Sequence, residues 1–136
     1  MAGSKAKIEF YGTDELIRKI EKAGGNVEKA IIEALKQSSE KPKAEMLSYI
    51  SRHRQTGATE DSFAEEFKSK NGKIYMRIGF DIKRGGLPAL FLNYGTPRIQ
   101  PSFFIDNAID HNIDSIKEAQ LDVLREVFKE AISGVG

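Results

Sequence analysis

Few side chains in this sequence carry obvious chemical potential. Two histidines, His53 and His111, lie far apart in the chain, and no third ligand type clusters with either. A lone imidazole is more often a surface group than a catalyst, and zinc or non-haem iron sites use His or Cys clusters at defined spacing. No cysteine is present, which excludes a thiolate metal site, a disulfide scaffold and a cysteine nucleophile. Gly85-Gly86 lacks the spacing of a phosphate loop, Asp81 and its neighbours do not follow a calcium loop, and no nucleophile elbow occurs. No enzyme class and no cofactor is implied.

Two charged groupings remain. Asp106, Asp110, Asp114, Glu118, Asp122, Glu126 and Glu130 recur every fourth residue. Four helical steps advance about 400°, so the row winds slowly round a helix. Its readings are a solvated outer face, a docking surface for basic neighbours, or a paired-carboxylate site, the last needing a concave pocket with split pKa values. Ser51-Arg52-His53-Arg54-Gln55 is a small basic cluster. It suits phosphate contact, or simply cations at the negative end of a helix dipole.

The elements that must position these groups are legible in part. Lys5 to Tyr11 alternates polar and apolar residues and predicts a short strand ended by Gly12. Thr13 is placed to cap a helix that opens with Asp14 and Glu15, and Gly24-Gly25 to stop it. Asn26 caps a second helix whose stripe runs through Val27, Ala30, Ile31, Ala34, Leu35 and Ser38, with a kink or a restart at Pro42 and an end near Arg52–Arg54. Asn71-Gly72 between Ser62–Lys70 and Lys73–Phe80 predicts a hairpin, with Ile74, Met76, Ile78 and Phe80 sharing a face. Ser62–Lys70 also fits a helix through Phe63 and Phe67, and the strand is the preferred reading. Lys83–Gly86 reads as a flexible loop, and an apolar segment runs from Leu87 to Tyr94. Gly95 to Pro101 holds two prolines and a glycine, so it predicts a loop presenting Arg98. Ser102 is then expected to cap one long helix reaching Ile132. The expected fold is α+β over residues 1–136 as a single domain: a small antiparallel sheet with a hairpin, packed against long helices that include a long C-terminal one.

The 136 residues carry 21 basic and 20 acidic side chains, a formal net charge of +1. That balance disfavours a general nucleic-acid-coating or polybasic membrane protein. No stretch approaches a membrane span, and the N-terminus lacks an apolar signal core. The charge is nevertheless unevenly spread. Residues 1–54 carry a net +3, residues 55–100 a net +2 and residues 101–136 a net −4. Such polarity suits head-to-tail self-association or an asymmetric partner.

Three short signatures occur in order: Thr56-Gly57 followed by Ser62; Asn93-Tyr94-Gly95-Thr96; and Pro101-Ser102-Phe103-Phe104-Ile105-Asp106-Asn107-Ala108-Ile109. Together they resemble the tail-component family of tailed bacteriophages, in the head–tail joining and tail-completion group that also holds the minor tail protein Z type of lambda-like phages. The likeness covers about residues 56–109. Ala58 stands where Leu is usual in that family, Asn93 where an acidic residue is usual, and Asn107 where Pro precedes the alanine. The resemblance implies a non-enzymatic structural protein of the virion tail or neck, assembled in the host cytoplasm. It also implies partners among other tail or connector proteins, and self-association into a ring. Residues Leu87 to Phe104 are the expected contact surface, with Leu87, Tyr94, Gly95, Thr96, Arg98, Phe103 and Phe104 as candidate interaction residues. Tyr94 and Phe104 are also expected to be core aromatics, and Phe103 to help anchor the loop. The alternative reading is a small nucleic-acid-binding module using Arg52, Arg54, Arg77, Lys83 and Arg84.

Overall fold

Asn71 and Gly72 both adopt positive φ, 55° and 78°. That is the requirement of the tight two-residue turns whose twist matches paired strands. The computed structural model describes residues 5–53 and 57–133, so Arg54, Gln55 and Thr56 lie outside the described residues. Around the turn, β2 (Phe63–Lys70) pairs antiparallel with β3 (Lys73–Phe80), from Phe63↔Phe80 to Lys70↔Lys73. β1 (Lys5–Ile8) pairs antiparallel with the other edge of β3, giving the order β1-β3-β2. Because side chains alternate, Ala6, Ile8, Met76, Ile78 and Phe80 fall on one face, and all five are buried.

Among the described residues, seven helices complete an α+β fold. α1 (Asp14–Lys22) and α2 (Val27–Ser38) begin where their caps predict. Thr13 Oγ1 accepts from the Leu16 N–H at 3.2 Å, and Asn26 Oδ1 from the Lys29 N–H at 3.1 Å. The interruption near Pro42 is a restart. A turn at Ser39 separates α2 from α3 (Glu40–His53), and Pro42 lies in the first turn of α3, where a missing N–H leaves no helical bond unmade. α4 (Ala58–Asp61) is one turn before β2. Where a flexible loop is expected at Lys83–Gly86, a 3-10 turn at Ile82–Arg84 leads into α5 (Leu87–Tyr94).

The single long C-terminal helix is two helices. α6 (Phe104–His111) and α7 (Ile113–Ile132) part at Asn112. The Asn112 side chain donates to the Ala108 carbonyl at 2.7 Å and to Glu45 Oε1 at 3.1 Å, and so competes with the helical ladder. His111 Nδ1 lies 3.0 Å from Glu45 Oε2, which ties the break to α3. β1 also stops earlier than expected, at Ile8. Beyond it the Gln120 side chain of α7 takes the place of a strand: it accepts from the Tyr11 N–H at 2.7 Å and donates to the Glu9 carbonyl at 2.9 Å.

The main core joins the inner sheet face to Leu35, Met46, Ile50, Ala89, Phe104, Ile105, Ala108 and Ile116. A satellite of Ile20, Ala30 and Leu124 locks α1 and α2 to α7, with Phe10 packed against both clusters. Burying each such aliphatic or aromatic side chain contributes about 1.5–3 kcal/mol. No described helix is long and apolar enough to cross a membrane.

Candidate functional site

α5 is placed by a sharp entry. The Gly86 N–H bonds to the Asp81 carbonyl at 2.8 Å, and a Cβ on Gly86 would stand 2.6 Å from that same oxygen. Asp81 Oδ1 accepts from the Lys83 N–H at 3.0 Å and holds the 3-10 turn. Pro88, at the second position of the helix, has no N–H to orphan. The eight residues of α5 bury Ala89 and Asn93 and leave Leu87, Phe91 and Tyr94 outward at i, i+4 and i+7.

The exit of α5 is tied just as closely. Gly95 sits at φ 80°, ψ 170°, a region essentially closed to residues with a Cβ. Thr96 Oγ1 accepts from the Arg98 and Ile99 N–H groups, each at 3.1 Å, and closes a small loop that leaves Arg98 exposed. The returning chain then bonds to the end of α5. The Ser102 and Phe103 N–H groups donate to the Leu92 and Asn93 carbonyls at 3.0 and 2.9 Å. Asn93 Oδ1 accepts from the Ile105 N–H at 3.0 Å, so the side chain that caps the start of α6 comes from α5. Ser102, expected as that cap, contributes only a longer contact from the Phe104 N–H at 3.3 Å. Asn93 Nδ2 is buried with no hydrogen-bond partner among the described residues.

The result is an apolar surface. Leu87, Phe91, Tyr94, Ile99 and Phe103 are each 41–45% exposed, five of the eight large apolar side chains so exposed among the described residues. Such a concentration, unlike isolated exposed apolar side chains, makes this segment a candidate interaction surface. Tyr94 and Phe103 meet edge to face at 6.4 Å. Phe103 is held at φ 53°, ψ 30°, which costs about 1–3 kcal/mol for a side chain of this kind. Three cations, Lys83, Arg84 and Arg98, are exposed beside the surface, and no acidic residue occurs between Asp81 and Asp106.

The seven candidate interaction residues therefore divide. Leu87, Tyr94, Arg98 and Phe103 are exposed. Gly95 and Thr96 shape the loop. Phe104 is a correction: it is 5% exposed, stacked on Tyr49 at 4.4 Å, and belongs to the core. Tyr94 and Phe103 are corrected the other way, from core anchors to surface groups, because α5 and the αL turn at Phe103 aim them outward. Phe91 and Ile99 fall within the expected Leu87–Phe104 surface, but the sequence does not single them out. The 87/91/94 spacing reveals Phe91 only once the segment is known to be helical.

The other candidates do not converge. Every member of the carboxylate row from Asp106 to Glu130 is exposed along α6 and α7. His53 stacks on Tyr49 at 4.3 Å with Nδ1 2.8 Å from the Tyr49 carbonyl oxygen. Arg52 is on α3, Arg77 on β3, and Lys83 and Arg84 in the 3-10 turn. Among the described residues no three His, Asp or Glu side chains are grouped to hold a metal ion. Burial, and secondarily the Glu9 carboxylate, raise the Tyr11 phenol above its ordinary value of 10.0; that ring lies outside the α5 surface, with Lys117 Nζ 5.1 Å over it. Comparison with protein-family models, with curated proteins and with solved structures finds no match.

Proposed function

We propose that this chain is a non-enzymatic bacteriophage or prophage assembly protein that completes the tail or joins tail to head, working by association in a ring within the tail or neck of the virion. The observation that carries the reading is the exposed apolar surface of α5 and the loop after it. The second and third signatures of the tail-component resemblance are bonded to each other there. Gly57 and Ser62 of the first flank α4, which packs on α5. The partners are other tail or connector proteins assembled in the host cytoplasm, and no cofactor is needed. Arg98 sits at the loop tip, where a charge steers a partner more than it holds it. The alternative, a small nucleic-acid-binding module, has less support, because its four described cations lie on three separate elements.

The test is a phage carrying Phe91→Asp or Arg98→Glu in this gene. Both side chains are exposed, so the purified variants are expected to melt close to the parent. Infectious titre is expected to collapse while separate heads and tails accumulate, as counted by electron microscopy. Normal titre from both variants would sink the assembly reading.

A further inference from the structure

Strand parity puts the residues opposite the core on one outer sheet face. From β1 these are Lys5 and Lys7, from β2 Lys68 and Lys70, and from β3 Lys73 and Arg77, with Tyr75 among them. The carboxylates beside them are Glu66 and, just past the end of β1, Glu9, which pairs with Lys7 at 3.5 Å, so six cations face two anions, a net of +4. Glu66 is shared three ways, with Lys5 at 3.5 Å, Arg77 at 3.9 Å and Lys68 at 4.0 Å. Lys70 and Lys73 stand directly across the ladder from each other, with no anionic partner among the described residues. Like charges directly opposite on a sheet are destabilising.

The chain carries the complement of this face. On α7 the row sets Asp114, Glu118, Asp122, Glu126 and Glu130 against Lys117, Arg125 and Lys129, a net of −2. Like charges four apart on a helix are also destabilising, by a few tenths of a kcal/mol per pair. α7 makes its main contacts with α2 and α1, so its part of the row, from Asp114 to Glu130, lies apart from the sheet. Its 20 residues span about 30 Å, close to the roughly 26 Å of an eight-residue strand.

We propose that the cationic outer face of the sheet binds the carboxylate row of α7 of a second copy of this chain. One such contact relieves both repulsive faces at once, which a nucleic acid would not: its phosphates would neutralise the sheet and leave the row unmatched. Three consecutive members of the row, Glu118, Asp122 and Glu126, turn through only about 80° and can meet one flat face together. The contact joins two different surfaces, so it is heterologous and repeats from copy to copy, closing into a ring where the rotation permits. For ring closure the inference rests on the assembly reading; the contact itself needs only the two faces.

The test uses the full chain and two charge-reversed triples, Lys68→Glu/Lys70→Glu/Lys73→Glu and Glu118→Lys/Asp122→Lys/Glu126→Lys, in sedimentation velocity over a range of salt and protein concentration. All six positions are exposed, and circular dichroism melts check that each triple folds. The parent is expected to associate at low salt and to weaken about tenfold or more as the Debye length shortens. Each triple alone is expected to be monomeric, and an equal mixture to associate, since reversal of opposite faces restores both pairings. If a triple misfolds, Lys70→Gln/Lys73→Gln serves in its place and is expected to weaken association several-fold. A parent that stays monomeric throughout overturns the inference, as does a mixture that stays monomeric. Association unchanged in both triples places the contact elsewhere, and salt-steep duplex DNA binding lost in the lysine triple, without copy-to-copy association, assigns the sheet to phosphate instead. None of these outcomes decides the Phe91→Asp and Arg98→Glu test, so the two readings fail separately.

Discussion

Tyr94 and Phe104 are ten residues apart and do opposite work. The Phe104 ring is packed between Tyr49 and Phe80 and is almost fully buried, so Phe104→Ala is expected to cost about 3–5 kcal/mol. Tyr94 is half-exposed, and Tyr94→Ala is expected to cost under about 1 kcal/mol. Denaturant midpoints of the two variants check this; equal losses would refute the assignment of one ring to the core and the other to the surface. Asn93 does its work through one oxygen. Its Oδ1 caps α6 through the Ile105 N–H, a bond that an acidic side chain would also make at the positive end of a helix. The amide gives up the charge and leaves Nδ2 buried without a partner among the described residues, which costs about 1–3 kcal/mol.

Among the elements, the turn after α5 is tightly constrained by backbone shape. A Cβ on Gly95 would lie 2.8 Å from the Ile99 carbonyl oxygen and 2.9 Å from the Pro101 nitrogen and Cδ, none of which can swing aside. Gly95→Ala is therefore expected to lower stability by about 1–3 kcal/mol, read as a fall in the urea midpoint, and an unchanged midpoint would show that the loop can move. The elements legible in the sequence are those built by local rules: the caps at Thr13 and Asn26, the Asn-Gly hairpin and the alternating face of β3. Those hidden depend on contacts across the chain. The apolar run from Leu87 to Tyr94 carries no cap residue and has apolar side chains on both its buried and its exposed faces, so periodicity does not reveal α5. The break at Asn112 is silent because the apolar spacing of Ile105, Ala108, Ile109, Ile113 and Ile116 runs straight through it, and its cause is Glu45 on α3. Which aromatic of the 87–104 segment is core and which is surface follows from the αL turn at Phe103, and composition does not encode that turn.

Over the whole molecule, a net charge of +1 conceals a division into a positive sheet face and a negative helix row. The near-neutral total gives little long-range attraction to a polyanion, while each face alone is strongly charged. A second long-range device is the Gln120 carboxamide, which is 1% exposed and bridges the Tyr11 N–H, the Glu9 carbonyl and the Ser38 hydroxyl. It makes the chain just after β1 depend on a residue more than a hundred positions away. Among the described residues the Tyr11 amide has no backbone acceptor, so its protection from deuterated solvent is expected to last as long as α7 holds Gln120 in place. In a hydrogen-exchange experiment that single amide is a clock for the opening of the last helix. It is expected to exchange slowly in the parent and at the pace of a free loop amide in Gln120→Ala, with the β3 amides still protected in both; fast exchange at Tyr11 in the parent would mean that the carboxamide does not latch the two ends of the fold.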